Sequence, residues 1–421
     1  MQIVTDGALA TWGIAGLATA GVIIRPFRWP EAIWAVVGAA ALVAFGLLPW
    51  TDAVAGLGKG LDVYLFLGGM MLLAEIARRE GLFDWLAALA TSHADGSARR
   101  LFLLTYIVGM IVTVFLSNDA TAVVLTPAVA AAVKTARAEE PVPYLLVCAF
   151  IANAASFVLP ISNPANLVIY GNHMPPLMQW LPRYLLASAV SIAVTYLALW
   201  WTQRRRLSQT IAKNVPVPPL SGGGKTAAAG IAATAIALIA ASAMDIRLGL
   251  PTFIAGAATA VIVLVPRPAQ TSSVLKDISW GVLPLVAGLF VLVEALDRTG
   301  VIAMIGALLR QGAAASAAGT AWAAGIAVAL ASNLANNLPV GLVAGSAVQG
   351  DHTVDQITRA ILIGVDLGPN LSVTGSLATI LWLAALRRER LIVGFGTFLK
   401  IGAVVMPPAL VLSIATALFT G

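Results

Sequence analysis

The residues of this 421-residue chain best suited to chemistry gather at four interruptions of otherwise apolar sequence. The first is Ser117-Asn118-Asp119-Ala120-Thr121, inside the stretch Leu101 to Val133, which is too long for one plain span. The second is Pro160-Ile161-Ser162-Asn163-Pro164-Ala165-Asn166, with Asn153 upstream in the same element. The third falls within Ala321 to Val348, at Asn333, Asn336, Asn337 and Pro339, and the fourth is Gly368-Pro369-Asn370 with Ser372, Thr374, Gly375 and Ser376. Short amide and hydroxyl side chains satisfy backbone that is unwound at mid-membrane while lining a cavity. Prolines and glycines do the unwinding, and the half-helix N-termini they free favour bound oxygen atoms. The expected substrate ligands are Ser117, Asn118, Thr121, Asn153, Ser162, Asn163, Asn166, Asn333, Asn336, Asn337, Asn370, Thr374 and Ser376. No Lys or Arg lies in any of the four breaks.

Two acids fall in the same zone. An ionised carboxylate inside a membrane is costly, which suits a group that takes up and releases a proton. Asp119 is the expected proton carrier and Asp366 the second candidate; the alternative for each is a structural carboxylate bonded to backbone N–H groups. Any single Asn, Ser or Thr has a comparable alternative as a helix cap or as glue between helices. Four clusters at repeat-related places argue for a site.

The elements that position these clusters must be membrane helices. The chain is 59% hydrophobic and 10% charged, with a mean hydropathy of +0.91, so it belongs in lipid. Eight apolar stretches, from Leu9–Ile24 to Ile392–Phe419, suit a ~30 Å hydrocarbon core. The first lacks a basic leader and a clear cleavage site and reads as a retained span. No alternating ten-residue pattern appears, which excludes an outer-membrane barrel. The fold class is an all-α polytopic membrane protein with about ten transmembrane helices, two re-entrant hairpins and two broken helices. The lone cysteine, Cys148, excludes an internal disulfide and a cage of several thiolates, and reads as a packing residue. The net charge of +6 sits in short loops, which fits membrane topology better than nucleic acid.

The polar segment 204–225, with Arg204, Arg205, Arg206 and Ser221-Gly222-Gly223-Gly224, divides the chain into halves at 1–203 and 226–421. Gly69, Glu75, Arg79 and Gly81 match Gly288, Glu294, Arg298 and Gly300 at one constant offset of 219. Asn118-Asp119 matches Asn336-Asn337 at 218, though Ser117-Asn118 against Ser332-Asn333 is an alternative register. The elements after them match at offsets near 213. Each half thus carries a hairpin (101–133 and 317–348) and a broken helix (143–174 and 358–386). Five crossings per half would invert the second half. With the N-terminus outside, eighteen Lys and Arg fall on inner loops, including Arg78, Lys276, Arg388 and the linker, against six on outer ones. This is the inverted repeat of alternating-access carriers.

Glu75 and Glu294 each have an Arg four residues on and are expected as helix-surface ion pairs. His93, His173 and His352 lie in expected loops, away from any relay. Without HExxH or GxSxG, an intramembrane enzyme is disfavoured, and the polar breaks disfavour a mere scaffold.

The segments FLSNDATAVVLTP, IANAASFVLPISNPANLVIYG, NNLP and DLGPN resemble those of the ArsB-type arsenite efflux pump family of the ion transporter superfamily, over nearly the whole chain. The resemblance implies export of arsenite and antimonite across the bacterial inner membrane against inward proton movement, without a cofactor. It also implies a possible ATPase partner on the cytoplasmic face. As(OH)3 is neutral with three hydroxyls; it suits amide and hydroxyl ligands, with As(III) present only as substrate. The alternative is a sodium/proton or anion transporter of the same superfamily, although an anionic substrate asks for an arginine that the breaks lack.

Overall fold

The computed structural model describes residues 6–213, 215–349 and 354–420, so His352 lies outside the described residues. The first half runs through α1 (Asp6–Ile24), α2 (Glu31–Ala44), α3 (Trp50–Lys59), α4 (Leu61–Arg79) and α5 (Leu82–His93) to α6 (Ala98–Phe115). After a break come the short α7 (Asn118–Ala120), α8 (Thr126–Thr135), α9 (Val142–Ala154), α10 (Pro164–Tyr170) and the long α11 (Leu177–Gln203). The second half follows the polar segment. It has α12 (Gly222–Ala243), α13 (Gly249–Leu264), α14 (Pro268–Asp277), α15 (Val282–Arg298), α16 (Val301–Ala335), α17 (Asn337–Val348), α18 (Asp355–Leu367), α19 (Leu377–Arg388) and α20 (Phe395–Phe419). The backbone of α16 is extended at Ser316, whose hydroxyl accepts from the Gly319 N–H at 3.0 Å and restarts the helix. Among the described residues, the only β pairing is one isolated bridge between Ser97 and Thr210.

Among the described residues, seven helical spans are long and apolar enough to cross a membrane, with α14 and α15 taken as one, or eight if α3 and α4, bent by 47° about Gly60, form one span. The shorter apolar helices α2, α9, α13 and α17 are cut by sequence: Pro30 precedes α2, Pro141 precedes α9, Pro266 follows α13 and Asn336 caps α17.

Two bundles result. One combines α1–α4 with α12–α15, and the other combines α5–α11 with α16–α20. Glycines let backbones touch, as membrane interfaces require when oil-like lipid supplies no hydrophobic drive. A Cβ at Gly69 of α4 would lie 2.4 Å from the Thr252 carbonyl oxygen of α13, and one at Gly288 of α15 would lie 2.7 Å from the Ala35 backbone of α2. The repeat-matched helices therefore each bury a glycine against the opposite half. In the other bundle, Gly364 of α18 and Gly368 just after it press on the Gly325 and Ala329 backbones of α16.

Ion pairs tie the first bundle at both ends. Glu75 accepts from Arg78 at 2.6 Å and from Arg79 at 2.8 Å, and Arg79 continues to Asp277 at 2.6 Å. The expected Glu294–Arg298 pair is not formed. Glu294 takes Lys59 from α3 at 2.5 Å and Arg298 takes Asp52, because α3 packs along α15 and brings both partners closer than the next helical turn. The 204–225 segment lies against the first half, where the Ala212 N–H donates to the Ala136 carbonyl at 2.8 Å and the Ser221 hydroxyl donates to the Glu80 carbonyl at 3.0 Å.

Candidate functional site

At the first break, α6 stops at Phe115 and the Ser117 hydroxyl accepts from the Ala120 N–H at 3.2 Å, restarting the helix. The Asn118 side-chain oxygen accepts from the Asp119 N–H at 2.9 Å. Thr121 opens a π-turn over Thr121–Leu125, and its hydroxyl lies 2.8 Å from that of Thr113, which faces it across the hairpin. A π-turn inserts an extra residue per turn and re-aims the side chains beside it, a distortion found often at functional sites. Asp119 projects from this tip into a cavity of about 720 Å³. No protein group hydrogen-bonds its carboxylate among the described residues.

The cavity runs between the two bundles. Its inner wall is Phe66, Leu67, Met70 and Met71 of α4, with Ser117, Asp119 and Ala120 of the tip, Val124, Ala128 and Pro164. Its mouth carries the exposed side chains of Arg78, Asp84, Lys276, Asp277, Arg388 and Glu389. Neither Lys nor Arg is among the buried lining residues; the exposed charges ring the entrance, the buried Glu75 beneath them is paired with Arg78 and Arg79, and the remaining depth is apolar apart from the Ser117 hydroxyl and the Asp119 carboxylate.

The other breaks are built from the same local chemistry. The Asn163 side-chain oxygen accepts from the Ala165 N–H at 3.0 Å and starts α10; the Ser376 hydroxyl accepts from the Ala378 N–H at 3.1 Å and starts α19. At 3.3 Å, the Asn336 side-chain oxygen accepts from the Leu338 N–H and starts α17. Asn336 has a left-handed backbone, with φ of 68°, which asparagine tolerates better than other side chains. The capping role is thus met at four predicted site residues, one for each break.

Behind this tip, Asn333 donates to the Ala329 and Gly368 carbonyls at 2.8 and 2.9 Å and accepts from the Ser372 hydroxyl at 2.7 Å. Thr374 donates to the Asn333 carbonyl at 2.8 Å. The Asn337 N–H donates to the Gly375 carbonyl at 2.8 Å, fastening the second hairpin to the second broken helix. Between the halves, Asn163 donates to the Asp366 carboxylate at 2.6 Å and Asn153 donates to the Asn370 side-chain oxygen at 3.0 Å. Asn370 in turn donates to the Phe150 carbonyl at 3.1 Å. Ser162 donates to the Val114 carbonyl at 3.0 Å, pinning the first hairpin, and Asn166 donates to the Ser156 carbonyl at 2.8 Å.

Of the sequence-predicted residues, Ser117 and Asp119 line the cavity. Asn163 meets Asp366 and Asn153 meets Asn370 at the buried crossing of the broken helices, Asn166 is buried against backbone carbonyls of its own segment, and Asn333, Asn336, Asn337, Thr374 and Ser376 gather at the second tip. Thr121 turns back onto α6. The sequence reading missed the wall supplied by α4, particularly Phe66, Met70 and Met71. The signal was present, since GGMMLLAEIARREG marked this helix as repeat-related; its glycines face α13 while the methionines line the cavity.

The chain was compared with known proteins. A family model described as a citrate transporter, CitMHS, matches residues 19–364. The chain is 25% identical over 358 residues to an arsenical pump membrane protein of Yersinia enterocolitica, covering 82% of this chain and 83% of the relative. An arsenical pump membrane protein of Escherichia coli K12 is 24% identical over 362 residues, with the same coverage of 82% and 83%. These relatives carry the name that the sequence motifs suggested. Among solved structures, the YdaH transporter of Alcanivorax borkumensis superposes with a TM-score of 0.59 at 14% identity over 98% of both chains, a likeness of fold alone. With the family model spanning most of its length, the chain belongs to the CitMHS citrate transporter family and is a multi-pass membrane transporter rather than an enzyme.

Proposed function

We propose that this transporter exports arsenite, as neutral As(OH)3, in exchange for protons, with Asp119 as the proton carrier. The observation that carries the reading is the Asp119 carboxylate, unpartnered at the depth of a cavity whose buried lining holds no cation. A neutral trihydroxy substrate needs hydrogen-bonding oxygens and exclusion of water, and no cationic clamp. Ser117 and Asp119 supply the polar contacts. An arsenical substrate comes to this chain from the names of its relatives, which are called arsenical pumps, and antimonite from the resemblance of its motifs alone.

The orientation follows from the same cavity. Arg78, Lys276 and Arg388 at its mouth all lie at helix ends that the charge bias assigns to the cytoplasm. The cavity then opens inward, the side on which an exporter loads, and the N-terminus lies outside the inner membrane. Exchange of a neutral substrate for one proton moves one positive charge inward, so each 100 mV of potential contributes about 2.3 kcal/mol. The inverted repeat is part of this proposal; like order of elements in both halves and glycine contacts exchanged between them support it.

A second reading, carriage of a small anion, is favoured by the cationic mouth and by the citrate transporter description of the family. Everted vesicles separate the two. Proton-driven accumulation of arsenite, unaffected by citrate, is the expected result; accumulation of citrate without arsenite transport overturns the proposal.

A further inference from the structure

The seam between the two bundles holds a second space. A pocket of about 40 Å³ lies at the end of α4 opposite the cavity mouth, lined by Asp62, Leu167, Gly171, Met174, Asp245 and Arg247. Gly171, Asp245 and Arg247 are exposed, so the pocket reaches the surface there. Two helices from different bundles line both spaces at successive turns. On α4, Asp62 is in the pocket, Phe66 and Met70 are in the cavity wall, and Arg78 stands at the cavity mouth. Residues four apart share one face of a helix, so Asp62, Phe66 and Met70 form a single stripe. On α10, which packs against α4, Pro164 lines the cavity while Leu167 and Gly171 line the pocket.

The two spaces therefore lie in line along the seam, parted by about one turn of helix, roughly 5 Å. What fills that turn is apolar: Phe66, Leu67 and Leu167 are 0, 4 and 4% exposed. A carboxylate stands on each side of it, Asp119 in the cavity and Asp62 in the pocket. Asp62 Oδ1 accepts from the Gly249 N–H at 2.9 Å, which holds the side chain on the pocket wall. Beside it, the Leu177 N–H of α11 donates to the Ser242 hydroxyl of α12 at 2.8 Å, a bond that clasps the two bundles at this end.

We propose that the pocket is the closed end of the substrate path and that Phe66 is the barrier between it and the cavity. This rests on the cavity being the one that substrate enters, as argued above. At its present size the pocket holds roughly three waters, and parting the bundles at the Ser242 clasp with a swing of the Phe66 ring joins it to the cavity. An apolar ring between two polar spaces keeps out water, and with it protons, until the ring moves.

The test is thiol labelling of the full-length chain, carrying Cys148→Ala, in membrane vesicles of both orientations with no arsenite present. The probe is a membrane-impermeant methanethiosulfonate. Val123→Cys, in the cavity wall, is expected to label from one face of the membrane and Met174→Cys, in the pocket, from the other. Adding Phe66→Ala to Val123→Cys should speed its labelling from the Met174 face by about tenfold, since the void left by a deleted ring opens the barrier. If Phe66→Ala does not fold, Ser242→Ala carries the test; it removes the clasp and leaves the ring, and the same rate should rise about threefold, the worth of one net hydrogen bond. Labelling of both thiols from one face overturns the proposal, because the two spaces would then share an entrance. Rapid labelling of Val123→Cys from both faces with Phe66 intact overturns it too, because the ring would be no barrier. So does an unchanged rate in a folded Phe66→Ala protein, or in Ser242→Ala where Phe66→Ala does not fold. Because arsenite is absent, a failed barrier leaves the arsenite reading standing, and a failure of arsenite transport leaves the labelling pattern to be read on its own.

Discussion

At the tip of the first hairpin, Ser117 caps the turn and Asp119, beside it, faces the cavity with an unpartnered carboxylate. At the tip of the second hairpin, Asn336 caps α17, the Asn337 N–H is fastened to Gly375, and Asn333 is bonded on three sides. Both tips use the same device, a short polar side chain that restarts an interrupted helix. One presents an acid to open space while the other is closed on its own half's broken helix. Two halves of like construction thus differ in access. That is what a carrier needs if its two sides are to open in turn.

The largest effect is expected from removing the acid that distinguishes the tips. Asp119→Asn keeps the shape of the side chain and removes the proton it can carry. Accumulation of arsenite against a gradient in everted vesicles should fall by roughly a hundredfold, the lower range for losing an essential proton-transfer group. Binding and passive exchange should persist. Near wild-type uphill transport by this variant would make Asp119 structural.

The closed tip can be broken next. A Cβ at Gly375 would lie 2.5 Å from the Pro369 Cα and 2.9 Å from the Asn333 side-chain oxygen, neither of which can yield without moving the broken helix. Gly375→Ala should cost about 1–3 kcal/mol, the usual range for overpacking, read as a lower melting temperature with transport reduced in parallel. A fully stable Gly375→Ala protein would show that the second tip is looser than its hydrogen bonds indicate.

The ion pairs sharpen the comparison between the ends of the first bundle. Glu75 has a side chain 9% exposed and serves two arginines, whereas Glu294 serves Lys59, which is 58% exposed. Glu75→Gln leaves Arg78 with Asp277, and Arg79 with Asp277 and the Ser273 hydroxyl, and should destabilise by about 1 kcal/mol, above the typical surface pair. Glu294→Gln should cost a few tenths of that, because solvent screens an exposed lysine. Equal losses for the two variants in melting experiments would remove the distinction.

Much of this arrangement was legible in the sequence, because membrane helices advertise themselves by hydropathy and interruptions by proline, glycine and asparagine. The breaks at Ser117 and Pro160 and the constant offset of 219 needed no structure. What the sequence could not reveal was which side of each broken segment is open. Asn163 and Asp119 have similar polarity in similar contexts, yet one is bonded to Asp366 at 2.6 Å and the other lines a cavity. Partner choice across the halves was equally hidden: Glu294 ignores the arginine one turn away because α3 delivers Lys59. Such choices depend on packing between distant helices, and helical periodicity reports only neighbours within one helix.

The smallest effect is expected at Cys148, the one soft ligand in the chain and therefore the residue that an arsenic site based on thiols would need. It is fully buried on α9, away from the cavity lining, with its sulfur 3.9 Å from the Tyr144 carbonyl. Serine keeps nearly the same volume and can donate to that carbonyl; alanine leaves a void of a single atom. Either substitution should change stability by about 1 kcal/mol or less and leave arsenite transport near wild type. The outcome bears on the comparison of the tips, since a site of hydroxyl and carboxylate groups at the first hairpin has no use for a thiol that lies outside the cavity lining. Loss of transport by Cys148→Ser, with normal membrane expression and an unchanged melting temperature, would mean that arsenic reaches the sulfur, and that the substrate path runs through α9 instead of ending at Asp119.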